Sequence, residues 1–199
     1  PRVCFVGTAS GDAESARYKF YEAMAALHCR ATHLSLVQPP TADLARLKKD
    51  PKFTLTSKIS HRVIYFNFDH LSRVSPFVTA KDGKPLDKNP LQDVRVRRAI
   101  SKAINRPAIA ERVMEGQAIP SGQLVSEKLF GHNPALKAEV YDLEGAKKLL
   151  ADAGYPSGFN LTIHGPSGRY VNDEKIVQAV AQMLSRAGIT AKVETAPMG

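Results

Sequence analysis

Apolar residues recur at Val96, Ala99, Ile100, Ala103 and Ile104, the i, i+3, i+4, i+7, i+8 spacing that lines one face of an α-helix. Asp93 precedes this run as an N-cap, and Arg95, Arg98 and Lys102 fall on the opposite face. Asn105-Arg106-Pro107 ends the helix and starts another, because proline is tolerated in a first turn. That second helix presents Ile109 and Val113 and stops at Gly116. Asp142 caps a third, with Ala146, Leu149, Leu150 and Ala153 inward and Gly154 at its end. The last stretch reads strand, helix, strand. Phe159–Ile163 alternates as a half-buried strand; Ile176, Val177, Val180, Ala181 and Leu184 stripe a helix opened by Asn172 or Asp173; Ile189, Ala191 and Val193 form the returning strand. This order predicts a parallel pair with a right-handed crossover, and an α/β class.

Before residue 91 the pattern is looser. Val63–Phe68, rich in β-branched and aromatic residues, predicts a strand. Residues 69–90 carry Pro76, Gly83, Pro85 and Pro90 with little periodicity and read as a long loop. Val3–Val6 reads as a buried strand and Glu14–Leu27 as a helix with Tyr18, Tyr21 and Ala25 on one face. The intervening Gly7–Asp12 lacks the Gly-Lys-Ser/Thr of a phosphate loop, so it reads as a turn with Ser10 or Asp12 as cap. Pro39-Pro40 breaks the chain, and Thr41 or Asp43 can cap a short helix through Leu44 and Leu47.

Composition narrows the class. In 199 residues, 43% hydrophobic and 24% charged positions are ordinary for a folded globular chain and exclude a disordered or collagenous one. The net charge of +9 leaves nucleic acid, acidic membrane and anionic ligands open as partners. No stretch approaches the roughly 18 apolar residues of a membrane span. The start, Pro1-Arg2-Val3-Cys4, has neither an initiator Met nor an apolar leader, and so reads as an excised or processed piece. Cys4 and Cys29 form no CxxC, and His28 and His33, five apart, lie on different helix faces with no ligand-spaced partner. No metal site and no cofactor are expected. His164-Gly165-Pro166-Ser167 places His near Ser without an acid, and no G-x-S-x-G elbow occurs, so no catalytic residues and no enzyme are expected.

Several blocks carry a resemblance. They are Asp93-Val94-Arg95-Val96-Arg97-Arg98-Ala99-Ile100, Ala103-Ile104-Asn105-Arg106, Gly116-Gln117-Ala118-Ile119-Pro120, Tyr141-Asp142 and Ala146–Pro156. With Tyr65-Phe66-Asn67 before them and Gly188-Ile189 after, the chain resembles bacterial extracellular solute-binding proteins of family 5, the peptide- and nickel-type receptors of ABC importers. The resemblance spans roughly residues 40–197. It implies part of the second lobe of a type II periplasmic-binding-protein fold, a mixed sheet flanked by helices, with residues 1–40 unassigned and 41–199 the lobe domain. It implies capture of a small solute, foremost a peptide, in the periplasm, delivery to membrane permease subunits, and a monomer. It also implies that the first lobe, and ligand contacts beyond Gly199, lie outside this sequence. Residues 26–35 depart from the family's usual run of a strand into a proline pair.

Two functional readings follow. The segment 165–173 lies after the carboxyl end of a strand and before a helix N-terminus, where open α/β sheets place ligands. Free N–H groups and the helix dipole there favour an anion. Arg169, Tyr170 and Asn172 offer a charge, a ring and an amide, with Ser167 and Gly168 beside them. Gly165 and Gly168 allow close backbone approach. Tyr65 and Asn67, two apart on the early strand, turn the same way, to core or to cleft. The alternative is a basic nucleic-acid-binding domain using helix 94–105, with Arg95, Arg97, Arg98, Lys102 and Arg106 toward phosphates. No aromatics interleave that cluster for stacking on bases. Arg97, next to the apolar stripe, can instead pair with a carboxylate at its edge.

Overall fold

The structure, a computed structural model, describes residues 2–7, 14–27, 30–35, 50–52, 54, 62–127 and 129–197. It divides into two compact units. One comprises residues 1–62 with Gly168–Val171 and Met198; the other comprises Val63–Ser167 with Asn172–Pro197 and Gly199. The caps read at Ser10 or Asp12, the helix through Leu44 and Leu47, and any pairing of Cys4 with Cys29 lie outside the described residues.

The first unit is a strand–helix–strand. β1 (Arg2–Gly7) and β2 (Arg30–Ser35) pair in parallel, Val3 opposite Ala31, and α1 (Glu14–Ala26) connects them. The predicted strand and helix are both present. Among the α1 side chains described, Phe20 and Met24 are half-buried, four apart as a helix face requires, while Tyr21 and Ala25 are exposed; Tyr18 lies outside the described side chains.

In the second unit a three-stranded mixed sheet carries the core. β3 (Val78–Thr79) runs antiparallel to β4 (Asn160–Ser167), and β4 runs parallel to β5 (Thr190–Pro197), with Ile163 opposite Val193. α2 (Val94–Ala103), α3 (Leu143–Asp152) and α4 (Asp173–Arg186) complete the unit. Leu161 and Ile163 of β4 turn inward with Phe159 and Ile189, against Val177, Val180 and Leu184 of α4 and the α2 stripe. Ala99, Ala103 and Ala146 are fully buried, small residues that let α2 and α3 approach closely. The helical phases match the sequence reading: Val96, Ala99, Ile100 and Ala103 are buried on α2, and Ala146 and Leu150 on α3. Both caps are in place, with Arg95 N–H donating to Asp93 at 2.8 Å and Gly145 N–H to Asp142 at 2.8 Å.

Four local readings need correction. Val63–Phe68 forms no strand. Its alternation arises because the Phe66 and Phe68 rings pack on the core while Tyr65 and Asn67 face outward. The segment read as a long loop instead supplies β3. It is held by Asn89, whose amide donates to the carbonyls of Asp69 and Ser72 at 2.7 and 2.9 Å and whose oxygen accepts from Leu91 N–H at 3.0 Å. The second helix is only Arg106–Ala108, with the Asn105 side chain accepting from Ala108 N–H, and it widens into a π-helical turn, Ile109–Val113. Finally, Arg97 does not seek a carboxylate. It donates to the carbonyls of Leu91 and Gln92 at 2.8 and 2.9 Å, closing the turn before α2.

The basic face of α2 is largely engaged within the molecule. Arg95 grips Asp93 and reaches the Asp152 carbonyl; Lys102 bridges Glu139 and Asp142 at 3.3 and 3.4 Å; Arg106 donates twice to Ser101. Burial lowers the Arg106 pKa from its ordinary value, opposed by the nearby Glu139. A row of guanidiniums tied to carboxylates and carbonyls is poorly disposed to meet phosphates, and nothing favours the nucleic-acid reading.

Candidate ligand-binding loop

β4 runs on to Ser167, so the glycine-rich segment is shorter than the sequence suggested. Gly165 and Pro166 belong to the strand, and only Gly168–Asn172 separates it from α4. Gly165 is therefore not a point of ligand approach. A Cβ built there would lie 2.8 Å from Cγ2 of Val177, so the glycine lets α4 sit close on the strand. Gly168 is different: its φ is +71° and the space around it is open, so glycine is needed for the backbone turn.

On the second unit, Ser167 donates its hydroxyl to the Glu174 carboxylate in the first turn of α4. Asn172 occupies the N-cap position of α4 but does not cap it. Its backbone is left-handed (φ 56°, ψ 25°), and its amide donates to the Val113 carbonyl at 2.8 Å. Asp173 is buried and accepts from Glu174 N–H at 2.9 Å. Two carboxylates thus already sit in the first turn, answering the positive end of the helix dipole from within the chain. The anion expected from the dipole alone must instead be sought at the loop's cation.

That cation lies in the four residues that belong to the first unit. Arg169 is exposed, and its guanidinium carbon stands 5.5 Å from the Tyr170 ring centre; Arg62 stands 5.2 Å from the same ring. Such distances are those of cation–π stacking. The tyrosine orients guanidinium groups, each with a fork of donors matched to a carboxylate. The sequence reading named Arg169 and Tyr170 but missed Arg62, which is far away in the chain and carries no motif. Tyr65 is 63% exposed and Asn67 is also exposed, and both face away from the core.

His164 and Ser167 do not form a pair. His164 Nε2 lies 3.1 Å from Glu194 on β5, whereas Ser167 is bonded to Glu174. A shallow cavity of about 300 Å³ lies around Phe77, Asn160 and Thr190, at the amino ends of β4 and β5. Open α/β sheets bind ligands at the opposite, carboxyl end. Among the described residues no group of three or more His, Cys, Asp or Glu gathers as a metal site, and no helix is long and apolar enough to cross a membrane.

The chain is 28% identical to the dipeptide-binding protein of Escherichia coli (strain K12) over 164 residues, covering 81% of this chain and 28% of that protein. It superposes on the ABC transporter-associated periplasmic binding protein DppA from Helicobacter pylori, solved in complex with the peptide STSA. The TM-score is 0.51 and the identity 28%, over 78% of this chain and 27% of that one. HbpA2 from Haemophilus parasuis shares the fold with a TM-score of 0.60 and 24% identity, over 90% of this chain and 32% of that one. The chain therefore spans under a third of the length of each of these proteins. The model of the bacterial extracellular solute-binding proteins, family 5 Middle, matches residues 16–198, so it takes in α1 and β2 as well as the blocks noted in the sequence. With the mixed α/β fold of periplasmic binding proteins and this family match over most of its length, the chain belongs to the family 5 bacterial extracellular solute-binding proteins.

Proposed function

We propose that this chain forms part of a periplasmic receptor that captures a small peptide and hands it to the membrane permease of an ABC importer. Residues 41–199 would contribute to the receptor's second lobe, and the receptor would act as a monomer, without a cofactor and without chemistry on its ligand. The observation that carries the reading lies within the first unit, where Arg169 and Arg62 flank the Tyr170 ring. Every linear peptide with a free C-terminus carries a carboxylate, and an exposed guanidinium beside a flat ring suits it. The names of the relatives support the same class: a dipeptide-binding protein and a glutathione-binding protein by sequence, and a peptide complex by structure. Ser167, Gly168 and Asn172 shape the loop, while Tyr65 and Asn67 are weaker candidate contacts.

The test is calorimetric titration of the longer receptor with the dipeptide Ala-Ala and with its C-terminal amide. Arg169→Ala is expected to weaken binding of the free acid about tenfold or more, the scale of a lost charge-assisted hydrogen bond, and to affect the amide little. Equal affinity of wild type and variant for the free acid would refute the role of the loop. The 199-residue chain alone is expected to bind the dipeptide only weakly, because a two-lobed receptor splits its contacts. Sub-micromolar binding by this chain would overturn the partial-lobe reading.

A further inference from the structure

Resting on that receptor reading, we propose that Arg62 is a second, specificity-determining cation of the same site. It selects peptides whose last residue carries a carboxylate of its own, Asp or Glu. The residues concerned, Arg62, Arg169 and Tyr170, all belong to the first unit. Both arginines are exposed, and the tyrosine is half-buried. The guanidinium carbon of Arg62 stands 5.2 Å from the centre of the Tyr170 ring, and that of Arg169 stands 5.5 Å from it. One ring therefore fixes the places of two cations, whose separation cannot exceed the sum of those distances. The ring quadrupole attracts a cation held over its face. A guanidinium carries five donors, so it can keep that contact, and a bond within the chain, and still offer N–H groups to a carboxylate.

A single terminal carboxylate has two oxygens and is matched by one guanidinium fork. The second fork at the same ring is the feature that a neutral dipeptide leaves unused. Two cations this close favour a ligand with two negative charges over a ligand with one, because each charge meets its own partner and lowers the repulsion between the cations. A C-terminal Asp or Glu carries both carboxylates on one residue, only a few bonds apart, and so within the span that the ring sets. A C-terminal Gln has the shape of Glu without the charge. A C-terminal Lys or Arg brings a third cation to the ring and is disfavoured, so the same pair also acts against the wrong ligand. The ring contact also holds each guanidinium near its working place, which reduces the freedom lost on binding.

Calorimetric titration of the longer receptor with Ala-Glu, Ala-Gln and Ala-Ala tests the assignment. Ala-Glu is expected to bind about tenfold more tightly than Ala-Gln, the scale of one charge-assisted hydrogen bond. Equal affinity for the two overturns the proposal, and this comparison needs no variant. Arg62→Gln is expected to abolish the preference for Ala-Glu over Ala-Gln, with the fold checked by circular dichroism. A variant that weakens the two peptides equally, or that keeps the preference, overturns the role of Arg62. Should Arg62→Gln fail to fold, Arg62→Lys keeps the charge and loses the fork; a reduced preference supports the proposal and an unreduced one overturns it. The receptor reading fails on a different result, an Arg169→Ala variant with parental affinity for Ala-Ala. The Ala-Glu preference and its loss in Arg62→Gln then still decide the part played by Arg62. A receptor that binds none of the three peptides refutes both.

Discussion

Gly165 on β4 and Val177 on α4 are matched in size. A single methyl group at position 165 would come within 2.8 Å of the valine's Cγ2. The valine is stiff about its first side-chain torsion on a helix and cannot turn aside freely. Gly165→Ala is expected to cost about 1–3 kcal/mol, the range of overpacked cores, with Val177→Ala in the same chain recovering part of the loss. Urea denaturation of the four variants of this cycle measures the coupling. A double variant no more stable than the sum of its parts would show that the two side chains do not compete for the same space.

Ile100 and Arg98 lie two residues apart on α2, one buried at 2% exposure and the other exposed. Ile100→Asp is expected to unfold the domain, since an unpaired buried carboxylate costs several kcal/mol. Arg98→Glu is expected to stay within about 0.5 kcal/mol of the parent. Thermal melts in the reverse order would place the helix on the wrong face.

Asn89 is 4% exposed and holds three main-chain groups from two segments. Asn89→Ala is expected to lower stability by about 2–4 kcal/mol, because it leaves buried donors and acceptors without partners. Faster proteolysis between residues 69 and 89 accompanies the loss. A variant with parental melting and cleavage would reduce this asparagine to a passenger.

Two capping carboxylates predict an acid limb of stability. Asp142 is held below its ordinary value by the Gly145 N–H first, then by Lys102; Asp93 is held low first by the Arg95 side chain. A carboxylate whose folded pKa is depressed stabilises the fold above the unfolded value, near 3.8, and that contribution is lost as pH falls through the lower folded value. The melting temperature is therefore expected to fall below about pH 4, and Asp142→Asn to flatten that limb while leaving Asp93's share. An Asp142→Asn chain with the same steepness in acid would remove Asp142 from the account.

The helices were legible because each one announces itself locally. Val96, Ala99, Ile100 and Ala103 repeat at helical spacing, Asp93 and Asp142 are capping residues, and Pro107 and Gly154 mark boundaries. What the sequence concealed depends on partners distant in the chain. Val78–Thr79 is a strand only because Leu161 and Asn160 lie beside it, and two residues carry no period. Val63–Phe68 has the alternation of a strand without a neighbouring ladder. In the candidate loop, Arg169 and Tyr170 stood out by type, but Arg62 joins them through a ring contact over a hundred residues away in sequence. Asn172 reads as a helix cap in any local analysis. Only the left-handed backbone and the Val113 carbonyl reveal its other use.

Among the described residues β5 is the last strand in the order β3-β4-β5, so its outer row of N–H and C=O groups faces away from β4. Such a row is a template for another chain. Lys192 and Glu194 alternate along it, paired with each other at 2.7 Å, and Pro197 closes its end. A charged pair opposes stacking of like strands, and a proline cannot donate to an added ladder. Neutralising this pair, or replacing the proline, would convert a protected margin into an adhesive one, with self-association as the result.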